Sequence, residues 1–90
     1  MTPHDLHARL DAMQADAGDD DSRKPGLITV QTEAWIDSLH AEAAPPRTIV
    51  DGIRIRGVKV AVGALEKTAV LARGEAGLRG EPYRDLEPRA

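Results

Sequence analysis

The strongest constraint on the fold of this chain is a run of alternating residues in its second half. Thr48-Ile49-Val50, Asp51-Gly52 and Ile53-Arg54-Ile55-Arg56 set two β-branched segments on either side of two turn-forming residues. Alternation broken by Asp-Gly is the most informative short-range signal for a β-hairpin. It predicts Val50 opposite Ile53 and Thr48 opposite Ile55. The pattern resumes after Gly57 as Val58-Lys59-Val60-Ala61-Val62, one residue out of phase. A β-bulge at Gly57 restores the phase, since one extra residue on a strand shifts its side chains by one position. Ile53, Ile55, Val58, Val60 and Val62 then share one face, and Arg54, Arg56 and Lys59 share the other.

A hairpin needs a partner layer, because two strands alone are marginal in water. The segment Thr2 to Ala17 supplies one as an amphipathic helix. Thr2 is suited to cap it, Pro3 to its first position, and Asp5 to the positive end of its dipole. Leu6, Leu10, Met13 and Ala17 form one apolar stripe, and Gly18 is suited to end it. Leu27-Ile28-Thr29-Val30-Gln31 is short and β-branched, as strands are. Thr32 is placed to cap a second helix running to about Ala44, with Trp35, Ile36, Leu39 and Ala43 inward. Pro45-Pro46 stops it, because a residue before proline is driven from helical geometry. A third helix follows the hairpin with Leu65, Ala69 and Ala72 as its stripe and Gly74 as its stop; Thr68 to Arg73 also reads as a strand.

The resulting expectation is a small α+β domain in four parts: residues 1–17 an N-terminal helix, 18–26 an acidic hinge, 27–73 the α+β core and 74–90 a flexible tail. The tail assignment rests on Gly74, Gly77, Gly80, Pro82 and Pro88, with few apolar residues among them to offset the entropy of ordering. The interior has little to work with. The 90 residues include one Trp, one Tyr and no Phe, so aliphatic side chains must fill it. A chain of this size buries only about 60–65% of its unfolded surface. Self-association into a homodimer is therefore expected, since two-fold dimers share a larger core.

Charge is segregated. Residues 1–44 hold three Lys and Arg against nine Asp and Glu, whereas residues 45–80 hold seven against three. Such a chain either shields itself or offers two surfaces to partners. Arg54, Arg56 and Lys59 form a basic ribbon of the kind that enters a major groove, where arginine reads guanine. The plainer reading is a solvated sheet face whose charge discourages edge association. Asp19, Asp20 and Asp21, with Asp16 nearby, read as a solvated connector or as a steering patch for a basic partner. Tyr83 and Leu86, about one helical turn apart, are candidate anchors for a segment that folds onto a partner.

Chemistry finds little footing. Ser22 lies in the acidic stretch and Ser38 on a helix, neither in a nucleophile context, and no phosphate-cradling glycine pattern occurs. His4, His7 and Asp11 share a helix face, but only His40 remains as a further nitrogen ligand, short of a closed zinc set. Without cysteine there are no disulfides and no thiol catalysis. No catalytic residue, metal or cofactor is expected. The start lacks a basic segment followed by an apolar one, and no apolar run approaches the ~20 residues of a membrane span, so a cytoplasmic location without membrane contact is expected.

These features favour a non-enzymatic regulator or inhibitor that binds another protein, a nucleic-acid-binding complex being one class of target. Accessory proteins of phages and mobile elements, and antitoxins, share this build by analogy. The alternative is a dimeric DNA-binding regulator working through Arg54, Arg56 and Lys59.

Overall fold

The computed structural model describes residues 2–43, 52–82 and 86. The fold is α+β, as expected. Helix α1 spans Pro3–Ala17, strand β1 Pro25–Gln31 and helix α2 Thr32–Asp37; β2 is Arg54–Ile55, β3 Val58–Gly63, β4 Ala69–Ala72, and helix α3 Arg73–Leu78. The strands form one mixed sheet in the order β2-β3-β1-β4. β1 pairs parallel with β3 and antiparallel with β4, and β2 pairs antiparallel with β3.

α1 forms where its caps place it. The Thr2 hydroxyl accepts from the Asp5 N–H, and the Asp5 carboxylate accepts from the Thr2 N–H, both at 3.2 Å. This reciprocal box satisfies two of the amides that a helix start leaves open. The Thr2 backbone bond, reinforced by its hydroxyl, holds the Asp5 carboxyl below its ordinary 3.8. A carboxylate whose pKa is depressed on folding stabilises the fold above its unfolded value, and that contribution is lost as pH falls through the folded value. Asp5→Asn should therefore flatten part of the acid limb of a plot of thermal midpoint against pH, below 3.8, while leaving its slope at neutral pH unchanged. Equal acid limbs in both proteins would rule the linkage out.

β1 is buried on both sides from Pro25 to Val30, as expected of a strand with a parallel neighbour and helices over both faces. On one face Ile28 and Val30 join Leu6 and Leu10 of α1, Leu39, Ile55, Val58, Val60 and Val70, with Trp35 packed at the margin. On the other, Leu27 meets Ala76 of α3 and Leu86, flanked by Ala61 and Leu71. The sheet thus separates two clusters, α1 and α2 over the larger and α3 with Leu86 over the smaller. Among the described residues no helix is long and apolar enough to cross a membrane.

Five expectations are corrected. First, the alternating segments on either side of Gly57 are joined by a turn and not by a bulge. Thr48–Asp51 lie outside the described residues, and the observed turn is Arg56-Gly57, joining β2 to β3 with Arg54 opposite Lys59 and Ile55 opposite Val58. Both turn residues have positive φ, 52° and 81°, the requirement of the tight turn that matches strand twist. Gly57 is therefore a turn residue and not a bulge. Ile55, Val58, Val60 and Val62 still share the α1 face, because a two-residue turn repairs the phase as well as a bulge does.

Second, the bulge is at Gly26. β4 moves one step, from Ala72 to Leu71, while β1 moves two, from Pro25 to Leu27. The acidic hinge accordingly ends earlier than residue 26: Asp21–Arg23 coil into a 3-10 turn and Pro25 opens the strand, a position where its missing N–H is tolerated. Third, α2 stops at Asp37. The Trp35 carbonyl, which a continuing helix would give to Leu39, accepts instead from Nδ1 of His40 at 2.9 Å, and Leu39–Glu42 tighten into a 3-10 turn. Gln31, not Thr32, caps α2 through its side-chain oxygen. As a result Ile36 is 66% exposed instead of inward.

Fourth, the third helix begins at Arg73, and Ala69–Ala72 are a strand held beside β1. The Thr29 hydroxyl donates to the Lys67 carbonyl at 2.6 Å, and the Thr68 hydroxyl accepts from the Gln31 N–H at 3.2 Å, fixing β4 at its start. Fifth, residues 74–90 are not a uniformly loose tail. Residues 74–78 are helical and Leu86 is fully buried.

Candidate functional site

The three cations expected on one open ribbon face are each engaged by the chain itself. Arg54 is only 8% exposed, and its guanidinium donates to the Gly57 carbonyl at 2.8 Å, bracing the turn from below. Arg56 reaches the other way, to α1, donating to the Asp11 carboxylate at 2.6 Å and to the His7 carbonyl at 3.2 Å. Lys59 is 3.3 Å from the Glu81 carboxylate. A half-exposed ion pair contributes on the order of 0–1 kcal/mol. The effect of these pairs lies in orientation more than in stability.

Arg54 and Lys59 share the face that Leu27 occupies, because Leu27 is the register partner of Lys59. Leu86 and Glu81 lie over that same face. The basic ribbon and the segment after α3 therefore cover one another. Leu86, expected as an anchor for a partner, is spent on this chain's own interior at 0% exposure. Tyr83 lies outside the described residues.

The acidic run is also partly structural. Asp20 caps the 3-10 turn, its carboxylate accepting from the Ser22 N–H and hydroxyl at 3.1 and 2.7 Å. Asp21 pairs with Lys24 at 3.0 Å, and the Lys24 hydrogen bond holds its carboxyl below the ordinary value. Asp19 is exposed beside them, and Asp16 pairs with Arg23 at 2.5 Å. The histidines are dispersed: His7 meets Glu42 at 2.7 Å, and His40 meets Trp35. Among the described residues no three His, Asp or Glu side chains are grouped to hold a metal.

Two leucines stand out on the exposed surface. Leu65, in the turn between β3 and β4, is 100% exposed, and Leu78, at the end of α3, is 91% exposed. The segments that carry them are joined: Arg79 donates to the Glu66 carboxylate at 3.0 Å. The Glu66 N–H closes its own turn on the Gly63 carbonyl, and the Arg79 N–H caps α3 on the Ala76 carbonyl. Each leucine is thus adjacent in sequence to one half of an ion pair that links two tight turns. Sequence patterning assigned Leu65 to a buried stripe and Leu78 to a loose tail. Nothing local distinguishes an inward from an outward leucine once the element type is misread.

A concavity of about 510 Å³ opens between α1 and the start of α3. Arg9, Met13 and Asp16 of α1, Arg23, Ala72 and Glu75 line it. Cations and carboxylates are evenly mixed there, which suits neither a small anion nor a cation. Comparison with protein-family models, with curated proteins and with solved structures yields no match to this chain.

Proposed function

We propose that this protein works as a non-enzymatic regulator or inhibitor by binding another protein, through the surface that carries Leu65 and Leu78. The observation that supports this reading is the near-complete exposure of two leucines on segments tied together by the Glu66–Arg79 pair. Burying a leucine gains roughly 1.5–3 kcal/mol relative to leaving it in water. Two of them on braced turns can therefore supply most of a moderate affinity with little ordering cost. The duplex-DNA alternative is less well supported, because Arg54 is buried while Arg56 and Lys59 already meet carboxylates.

The test compares the native chain with the Leu65→Asp/Leu78→Asp double variant as baits in extract of the native host, with captured proteins quantified by mass spectrometry. A protein held by the native chain should bind the variant about 100-fold more weakly, since ~1.4 kcal/mol is tenfold in affinity. Both positions are exposed, so the thermal midpoint should stay put. Identical capture by the two baits would overturn the reading. So would duplex DNA retention that falls steeply with salt and is abolished by Arg56→Ala.

A further inference from the structure

The fold does not use all nine carboxylates of residues 1–44. Six of them cap a helical turn or meet a basic side chain of the same chain. Asp19, Glu33 and Asp37 have no such partner among the described residues. Two of these three, Glu33 and Asp37, belong to α2. At about 100° per residue, Glu33, Ile36 and Asp37 fall within one arc of roughly 100°, and the two acidic positions are about 6 Å apart along the axis. Ala34 and Trp35 take the opposite arc and pack on the larger core cluster. The outer face of α2 is therefore an isoleucine, 66% exposed, set between two exposed carboxylates that no described cation neutralises.

Helix stability does not account for this face. Asp37 is the last residue of α2, at the negative end of the dipole, where a carboxylate is disfavoured. Ile36 gains little from burial there, and its branched Cβ lowers helix propensity slightly. The backbone beneath is nonetheless fixed. The Gln31 side-chain oxygen accepts from the Glu33 and Ala34 N–H groups at 3.0 and 3.4 Å, and the Ser38 N–H donates to the Ala34 carbonyl at 3.2 Å. His40 holds the Trp35 carbonyl. A short face braced in this way presents its groups with little left to order on binding.

We propose that the outer face of α2 docks a basic segment of another protein, in which an apolar side chain covers Ile36 and flanking lysines or arginines meet Glu33 and Asp37. Charge complementarity selects this occupant: α2 carries two carboxylates and no cation, in a half of the chain where nine Asp and Glu face three Lys and Arg. α2 lies across the sheet from α3 and its Leu78, so this contact and the one through Leu65 and Leu78 can fail separately.

A display library of short random peptides, panned on the native chain, tests it. Peptides that also bind the Leu65→Asp/Leu78→Asp variant are kept, which removes those seated on the two leucines. The retained sequences should place an apolar residue between lysines or arginines. Their binding should weaken several-fold from ~0.01 to ~0.1 M salt, as the Debye length contracts from about 30 to about 10 Å. Trp35, the only tryptophan and the neighbour of Ile36, should report occupancy through a shift in its emission. Ile36→Asp and Asp37→Lys should each weaken binding about tenfold. The thermal midpoint of Asp37→Lys should stay level or rise, because a cation suits that end of α2. Retained peptides without basic residues, peptides that bind Ile36→Asp as well as the native chain, or no retained peptide at all would overturn the proposal. Self-association of the native chain that Asp37→Lys removes would overturn it too, since the occupant would then be a second copy.

Discussion

Gly26→Ala is expected to cost about 3 kcal/mol or more, at the upper end of what overpacking a core does. A methyl group there would lie 2.6 Å from both Cα and Cγ of Arg73 and 2.9 Å from its backbone nitrogen. A flexible side-chain tip can move aside, but Arg73 Cα cannot. Its own N–H is tied to the Lys24 carbonyl at 2.9 Å, and it begins α3 directly after the last residue of β4. Relief would require pulling β4 and α3 away from the bulge in β1, which would open the smaller core cluster. The loss is a large share of the total for a domain of this size, which by typical per-residue values is on the order of 5–13 kcal/mol. Urea denaturation measures it as a fall in midpoint. The control is Gly77→Ala, where nothing lies within 4 Å and the residue is helical. That change should raise stability by roughly 0.5–1 kcal/mol. Equal midpoints for Gly26→Ala and the native chain would mean that β1 and α3 do not approach as described.

Leu86→Ala is expected to cost about 2–5 kcal/mol, the range for removing a fully buried leucine. Leu86 is 0% exposed and packs with Leu27 and Ala76, also at 0%. If the last part of the chain were loose, the same substitution would lie within ~0.5 kcal/mol of neutral. The experiment therefore separates a structural C-terminal segment from a free one by several-fold. A companion variant, Glu81→Gln, removes only the contact to Lys59 and should cost no more than ~1 kcal/mol. Apolar burial, not the ion pair, holds this segment over the ribbon.

These two positions also show where the sequence was legible and where it was not. α1 could be read in full because everything that makes it is local: Thr2 and Asp5 at one end, Gly18 at the other, and Leu6 and Leu10 one turn apart. β1 was legible from Leu27 onward because a β-branched run needs no partner to declare itself. Pro25-Gly26, by contrast, reads as turn punctuation. Only the approach of Arg73, 47 residues away in sequence, makes Gly26 a strand residue. α3 carries two glycines in six residues, which lowers its propensity to be a helix. It is one because Ala76 fits against Leu27 and Leu86.

The same division holds for the candidate site. Alternation placed Ile55 and Val58 on one face of the ribbon and Arg54 and Lys59 on the other, as observed. It also put Arg56 with Arg54, whereas Arg56 lies in the turn and reaches α1, and it put Ile53 inward, whereas Ile53 is 38% exposed. That the cations are already engaged was not legible, since Arg56–Asp11 and Lys59–Glu81 join residues 45 and 22 positions apart. Charge segregation along the chain suggested two surfaces for two partners. Folding converts part of it into internal pairing, and the exposed leucines come forward in its place.

The position of β1 between β3 and β4 has a consequence for biosynthesis. Ile28 finds its neighbours Val60 and Val70 only 32 and 42 residues later. At 5–20 residues per second, a ribosome needs about 2–8 s to supply them. Through that interval this apolar stretch of the nascent polypeptide has no strand to pair with, while the acidic residues of the α1 segment have already been synthesised. The carboxylates that precede it leave that half of the chain with a net negative charge while the strand waits.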